Sequence, residues 1–478
     1  MSTLDRVVLF DDAASMPEGW TAVTLDTVAQ NGGTFCDGDW VESKDQDPNG
    51  DVRLIQLADV GVGEFRDRSE RFLTSAKAAQ LSCTFLERGD ILIARMPEPL
   101  GRACIFPGDK RRAVTVVDVA IVRPANPKVN SRWLMHRVNA PDFRRAVSSL
   151  QKGSTRQRIS RKNLATICFA LPSVDDQDVA LAEIEKQFSR LDEAVAGLQR
   201  VKANLKRYKA AVLKAAVEGR LVPTEADLAR REGRNYETGA QLLHRILEAR
   251  RSHWQGKGKY KEPAGPDTTD LPELPAGWAW ATAEQLVDFI TKGTTPEADK
   301  LSEGSGDVQF LKVYNLTFDG VLNYRHKPAF VSREVHENEL SRSKVRAGDV
   351  LINIVGPPLG QVSVVPEFLQ EANINQAIAR FRPIDPLGSP FLAVLLMSKE
   401  VMRWAISRAK TTSGQSNLTL ELCRALPIPI PPLAEQHRIV AEVDRLLSIA
   451  CEAEAEVDAN LKRAQSLRQA ILGKAFSA

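Results

Sequence analysis

The chain repeats itself, and any fold it adopts must accommodate two like halves. MPEGW (16–20) returns as LPAGW (274–278), and RLIQLADV (53–60) as QFLKVYNL (309–316). LERGDILIARMPEPLGRACIFPG (86–108) returns as VRAGDVLINIVGPPLGQVSVVPE (345–367), with Gly89/Gly348, Asp90/Asp349, Gly101/Gly360 and Pro107/Pro366 in step. Ala120, Arg123 and Pro124 return as Ala379, Arg382 and Pro383. Residues 171–219 then match 430–478 without a gap, with Pro172/Pro431, Gln177/Gln436, Glu183/Glu442 and Ala216/Ala475 in step. All offsets lie between 256 and 259. Ordered matches at nearly one offset are a duplication, not a coincidence between two ordinary α+β halves.

Each half opens with about 155 residues of mixed strands and turns. GDILIA and GDVLIN are β-branched runs entered through a Gly-Asp turn, as buried strands are. The end of each half is helical. Leu181, Ile184, Phe188, Leu191, Val195 and Leu198 follow 3-4 spacing, and Val201, Leu205, Tyr208 and Val212 continue it after one three-residue step. That is a heptad seam with a stammer. A helix from about 175 to 218 would be roughly 66 Å long. The second seam is Val440, Val443, Leu447, Ala450, Val457, Leu467 and Ile471, with Glu454 and Asn460 as polar positions that fix register. Packed antiparallel, the two helices would hold the globular parts at opposite ends of a rod. Residues 220–273 have no counterpart. They carry an amphipathic helix around Gln241–Trp254 (Leu242, Leu243, Ile246, Leu247) and then a Gly/Lys/Pro-rich connector.

Composition excludes more than it assigns. The chain has 478 residues, enough for about three domains. Its 64 basic and 61 acidic residues give a net charge of +3, which excludes a basic tail protein and an acidic disordered one. Local patches decide nucleic-acid binding, not the sum. Cysteines 36, 83, 104, 168, 423 and 451 and histidines 136, 244, 253, 326, 336 and 437 show no metal-ligand spacing. The N-terminus lacks a basic region followed by a long apolar run, so the expected location is cytoplasmic. GxxxxGK[ST], GxGxxG after a strand, HExxH and GxSxG are all absent. Gly356–Gly360 and its counterpart Met96–Gly101 lack the polar residue and the aromatic of an amino-methyltransferase motif, and read as turns. Asp90 and Asp349 are lone turn carboxylates without an acid–base partner. No residue is expected to be catalytic and none to hold a metal.

The basic residues are clustered. Residues 141–170 carry Arg144, Arg145, Lys152, Arg156, Arg158, Arg161 and Lys162 against one acid, Asp142. Gly, Ser, Thr and Gln among them suit phosphate contact and base-edge hydrogen bonding, and a solvated surface loop is the competing reading. The second half has RWAISRAKTTSGQSNLT here, with Arg403, Arg408 and Lys410. RDRSER (Arg66, Arg68, Arg71) and KRR (Lys110, Arg111, Arg112) are the other clusters of the first half. NYRHK (Arg325, Lys327) and SRSKVR (Arg342, Lys344) are their rough equivalents, and Lys312 lies in QFLKVYNL. These sixteen positions, with Arg144, Arg145, Lys162, Arg403, Arg408 and Arg346 left aside, are the expected DNA-contact set. The repeat keeps strands and turns and varies what lies between: 30–50 is acidic and Trp-containing, 291–308 Gly/Thr/Glu-rich. Like frames with unlike loops can read unlike half-sites.

In order and duplication these motifs resemble the DNA specificity subunits of type I restriction–modification systems. The features that carry the resemblance are MPEGW/LPAGW, the GD(I/V)LI turn-strand, PLGxxxxxP, NINQAIARFRP (373–383), and PPLAEQHRIVAEVD (431–444) leading to LRQAILGKAF (467–476). The resemblance spans essentially the whole chain. It implies an α+β fold: two repeated mixed α/β target recognition domains, separated by two long antiparallel coiled-coil helices in a circular pseudo-two-fold arrangement. The domains would be 1–170 and 274–429, the spacer helices 171–221 and 430–478, and the linker 222–273. It implies a non-catalytic subunit that recognises a bipartite double-stranded DNA target. Adenine-N6 methylation would come from two modification subunits, and ATP-dependent restriction from two restriction subunits. S-adenosylmethionine, ATP and Mg would then sit in those partners, with no cofactor in this chain. Two departures stand out. LPSVDDQDVALAEIE has lost the PPLAEQ form kept at 431–436, and NINQAIA faces VVDVAIV in the first half, so roles for Asn375 or Gln376 do not carry across. The reading from another class is a coiled-coil scaffold with two adaptor domains that bind only proteins.

Overall fold

The computed structural model describes residues 6–10, 16–97, 99–125, 127–153, 157–254, 258–412 and 415–476. They form two compact units: Met1–Gln199 with Asp458–Ala478, and Arg200–Val457.

In the first unit, Thr34–Asp37, Val119–Arg123, Ile91–Ala94 and Ala103–Ile105 make an antiparallel four-stranded sheet in that order. Its register sets Leu92 opposite Ile121 and Cys104. The GDILIA run is its fully buried inner strand, as β-branched composition requires. A smaller sheet pairs Val52–Ile55 in parallel with Arg112–Thr115 and antiparallel with Phe72–Leu73. Two helices, Ser131–Asn139 and Pro141–Ser149, bury Trp133, Leu134, Phe143 and Val147 against Ile91, Ile93 and Phe169.

The second unit repeats this frame. Val287–Lys292, Ile378–Pro383, Val350–Asn353 and Val362–Val364 form the four-stranded antiparallel sheet, and Ser389–Met397 and Lys399–Ile406 the helix pair. The smaller sheet has five strands here, with Val308–Leu311 parallel to Ala372–Ile374 at its centre. The fold is thus α+β with a duplicated frame. The helix pairs fall where residues 131–149 and 389–406 were taken for part of a strand-and-turn region. Their signals were local: Asn130 and Ser398 cap, and Pro141 and Pro390 stand in the first turn.

Residues 222–252 carry two helices. Glu225–Glu232 is a helix capped by Thr224 and closed by left-handed Gly233, and Gly239–Ser252 is a second, with Thr238 and Gln241 forming a capping box. The second buries Leu242 and Ile246 in the core of the unit, next to Ile428 and Ile430. Gly239 stands where a Cβ would meet the Ile430 carbonyl oxygen at 2.1 Å, so only glycine permits this approach.

Val174–Val217 and Leu433–Phe476 are continuous helices of 44 residues each. In the first unit their segments run antiparallel: Phe188 and Asp192 meet Arg468, while Ile184 joins a cluster with Leu472 and Phe476. In the second unit Lys209 pairs with Glu454 at 2.6 Å, and Val212–Val217 share a core with Ile439, Val443 and Leu447. Glu454 thus faces the other helix, while Asn460 bonds Arg463 on its own helix at 2.9 Å. The seam is buried only in part. Leu181, Ile184, Phe188, Leu191 and Val212 are buried, but Val201, Tyr208 and Leu467 are exposed, and Ile439 and Leu472 take core places that the spacing did not assign.

His136 is buried edge-on to the Phe188 ring at 5.5 Å. Burial, then the nearby Arg132 and Arg468 charges, lower its pKa from 6.5 to about 4. The folded state thus holds the neutral ring where the unfolded chain would take a proton. Stability is full above about pH 6.5 and is lost as pH falls from there toward 4, by about 3 kcal/mol. Urea unfolding of the first unit across that window is expected to show this slope, and His136→Phe to flatten it.

Candidate nucleic-acid interface

The two frames are locked by the same buried clamp. Asp90 accepts the Glu87 N–H at 2.8 Å and both Arg123 Nε and Nη2, at 2.7 and 2.8 Å. Asp349 accepts the Arg346 N–H at 2.9 Å and Arg382 Nε and Nη2 at 2.7 and 2.8 Å. Each aspartate is 1% exposed. They are turn residues with a structural arginine. A second pair recurs between the opening tryptophan and the start of each long helix. Trp278 Nε1 donates to Glu435 at 3.0 Å, and Trp20 Nε1 to Asp176 at 3.1 Å. Burial pushes the Glu435 carboxyl up, opposed by the Glu225 N–H and the Trp278 indole. The first half thus keeps an acid at this place although the PPLAEQ form is lost. Its Gln177 also keeps the bond to the Pro172 carbonyl that Gln436 makes to Pro431.

On each frame one buried side chain organises a basic loop. Asp59 is wholly buried, and its carboxylate accepts N–H groups of Gln56, Arg68 and Ser69 at 2.6–2.8 Å, as well as the Ser69 hydroxyl. This folds RDRSER into a fixed turn. Its repeat partner Asn315 accepts the Lys312 N–H at 2.9 Å and donates to the Asn323 and His326 carbonyls at 3.0 and 2.8 Å, folding NYRHK. The frame grips the following residue in both units. Arg102 Nε donates to the Val60 carbonyl at 2.6 Å, and Gln361 Nε2 to the Leu316 carbonyl at 3.0 Å. The organisers lie in the matched RLIQLADV/QFLKVYNL segments.

The expected contact residues divide by what holds them. Arg66, Arg68, Arg71 and Lys110 are exposed; Arg66 lies 3.2 Å from exposed Glu64 and Arg71 3.4 Å from Gln46. Arg111 and Arg112 are exposed but stacked, with their guanidinium carbons 4.6 and 3.4 Å from the centres of the Phe72 and Phe85 rings. Arg53, not among the expected residues, joins the two loops by pairing with Asp67 and, at 2.6 Å, with Asp109. Burial works against the Asp109 charge, but the Arg111 N–H and Arg53 outweigh it and hold its pKa low.

Lys152 and Arg158 bridge backbone to backbone at 2.9 Å in both directions. With Arg95, Ser160 and Asn163 they line an open cleft of about 410 Å³. Arg158 lies 3.4 Å from Asp118. Arg156 lies outside the described residues. Arg161 is turned to the Phe35 carbonyl, 3.2 Å from it. Arg144, counted in the same basic stretch, is on the helix 141–149 and faces inward; burial, then Arg102, lower its pKa to about 10. That stretch is therefore in part structural. The second unit has a hairpin at the matching place, Lys410–Thr412 with Gln415–Asn417, in which Lys410 pairs opposite Asn417.

Arg325, Lys327 and Arg342 are exposed, Lys327 with a left-handed backbone (φ 46°), and Lys312 is half-buried. Arg325 Nε donates to the Tyr324 hydroxyl at 3.1 Å. Lys344 is held by Glu337. Exposed aromatics flank these loops in the sequence: Trp40 in the first unit, Tyr314, Phe318 and Phe368 in the second. No described helix is long and apolar enough to cross a membrane.

The family model for the type I restriction modification DNA specificity domain matches residues 275–463. The type I restriction enzyme EcoBI specificity subunit of Escherichia coli is 25% identical, over 97% of this chain and 86% of its own. The EcoDI specificity subunit of Escherichia coli is 23% identical over 68% of this chain and 65% of its own. A solved chain from work on complex assembly and conformational transition of the type I R-M system shares the fold, with a TM-score of 0.62, 18% identity, and 97% and 98% of the two chains covered. Two like frames thus display two unlike sets of basic loops. Along nearly its whole length the chain is similar to specificity subunits of type I restriction enzymes, and residues 275–463 match the DNA specificity domain of those systems.

Proposed function

We propose that this subunit reads a bipartite DNA target, one block per unit, and directs adenine-N6 methylation and ATP-dependent restriction to it. The carrying observation is the twin loop organiser: Asp59 and Asn315 stand at matching places on one frame yet fold loops of different length and chemistry. Residues 1–170 and 274–429 would be the two target recognition domains. The long helices, with 171–221 and 430–478, would set the spacing between the blocks. Arg66, Arg68, Arg71, Lys110, Lys152, Arg158, Arg325, Lys327 and Arg342 would meet phosphates and base edges of duplex DNA. Arg111, Arg112, Arg161, Lys312 and Lys344 are tied more closely to the protein and would position the loops. Two modification subunits, bearing S-adenosylmethionine, and two restriction subunits, bearing ATP and Mg, would complete the assembly. Val201, Tyr208, Ile449 and Leu467, exposed on the long helices, supply apolar surface for such partners.

The test is methylation-sensitive single-molecule sequencing of host DNA with and without the gene. Loss of N6-methyladenine at one split motif, two short blocks around a fixed spacer, is expected. An unchanged methylome from an expressed, assembled complex, with no duplex retained by it, would favour the protein-only scaffold.

A further inference from the structure

We propose that His336, Glu337 and Glu371 in the second unit form a divalent transition-metal site of the zinc class. Sequence spacing did not reveal it, because Glu371 is 35 residues from His336 and reaches it only through the sheet. His336 ends a short helix, Arg333–Glu337, and Glu371 leads into the strand Ala372–Ile374. The three ligand atoms all lie within 4.8 Å of one another.

The tautomer is set by a chain of hydrogen bonds. Asn373 donates its amide N–H groups to the Leu340 carbonyl at 3.0 Å and the Ser343 hydroxyl at 3.1 Å, so its oxygen is the atom that faces His336 Nδ1 at 2.7 Å. Nδ1 must therefore carry a proton and donate it. That leaves Nε2 as the free ring nitrogen on a side chain only 1% exposed. Nε2 points at two carboxylate oxygens, Glu371 Oε2 at 3.4 Å and Glu337 Oε1 at 3.6 Å. Each carboxylate has its other oxygen occupied: Glu371 Oε1 by Arg333, Glu337 Oε2 by Lys344. The two acids are thus turned so that their remaining oxygens converge on the imidazole.

The distances separate a metal from a proton. A protonated ring donating to a carboxylate would sit at about 2.7–2.9 Å, and neither contact does. Ligand atoms about 2.0–2.1 Å from a tetrahedral zinc are about 3.3–3.4 Å apart, near the two spacings found at Nε2, and the two carboxylate oxygens lie within 4.8 Å of each other. Nitrogen with two carboxylates is a donor set zinc accepts, and water would supply the fourth ligand. The Nδ1–Asn373 bond is the outer-shell contact that orients ligating histidines. The ion would pin the helix Arg333–Glu337 to the start of the strand Ala372–Ile374.

The probe is Zn²⁺ alone, titrated calorimetrically into the chelator-stripped full-length chain. One equivalent per chain is expected. Glu371→Gln should weaken it at least tenfold and Glu337→Gln/Glu371→Gln abolish it, while Glu339→Gln, on the same surface but outside the set, should leave it unchanged. Both acids are solvent-facing, so these variants should fold, and zinc should raise the melting temperature of the parent but not of the double variant. No stoichiometric binding to the parent, or binding of undiminished affinity by the double variant, would overturn the site.

Discussion

Asp349→Ala is expected to destabilise the second unit by about 3–5 kcal/mol, the cost of breaking one side of a buried ion pair. The carboxylate receives three N–H groups, and its loss strands the Arg382 guanidinium and the Arg346 N–H together. Asp90→Ala is expected to cost the first unit less. Arg123 keeps Glu87 at 2.6 Å and the Phe85 carbonyl at 3.1 Å, so part of its charge stays compensated. Native-state hydrogen exchange of the strands Val350–Asn353 and Ile378–Pro383, against Ile91–Ala94 and Val119–Arg123, reads the two losses separately. A cost below about 1 kcal/mol at Asp349 would reduce the pair to a surface contact.

The clamp also marks what could be read in advance. Asp90/Asp349 and Arg123/Arg382 were each visible as coincidences of the repeat, but a sequence does not say that two coincidences touch. The duplication, the buried GD(I/V)LI strands and the two long helices were legible because they rest on period and local chemistry. The centre of the heptad seam was not, because spacing ranks Val201 and Leu467 with Ile184. Burial depends on what faces them, and here Ile439 and Leu472 take core places beside the assigned Ile184, Phe188 and Val443. The basic stretch 141–170 mixes structural and exposed positions for a related reason. Charge runs count residues, while the helix 141–149 turns Arg144 inward and leaves Arg145 outside. The loop organisers went unread because a buried Asp or Asn acts on backbone N–H and carbonyl groups that carry no sequence signal.

The largest effect on DNA binding is expected from the first unit's organised loop. Arg66→Ala/Arg68→Ala/Arg71→Ala/Lys110→Ala removes four exposed cations without touching Asp59 or Arg53, so the turn itself should survive. If each meets one phosphate, the slope of log affinity against log salt falls by about 3.6, at about 0.9 per contact. Near 0.15 M salt that corresponds to about a thousandfold weaker binding of the assembled complex to its target duplex. Lys152→Ala/Arg158→Ala should lower the slope by about 2 on the same scale. Arg144→Ala is the opposite case. Its side chain is half-buried and turned inward, so it should leave the slope alone and lower stability instead. Fluorescence anisotropy across a salt series separates these outcomes. A quadruple variant that keeps the parent's slope would return the RDRSER and KRR clusters to solvated surface. A lower affinity at every salt concentration with no change in slope would mean that the loop had lost its shape rather than its charge, and hydrogen exchange at the Arg68 and Ser69 amides, which Asp59 holds, would then show it.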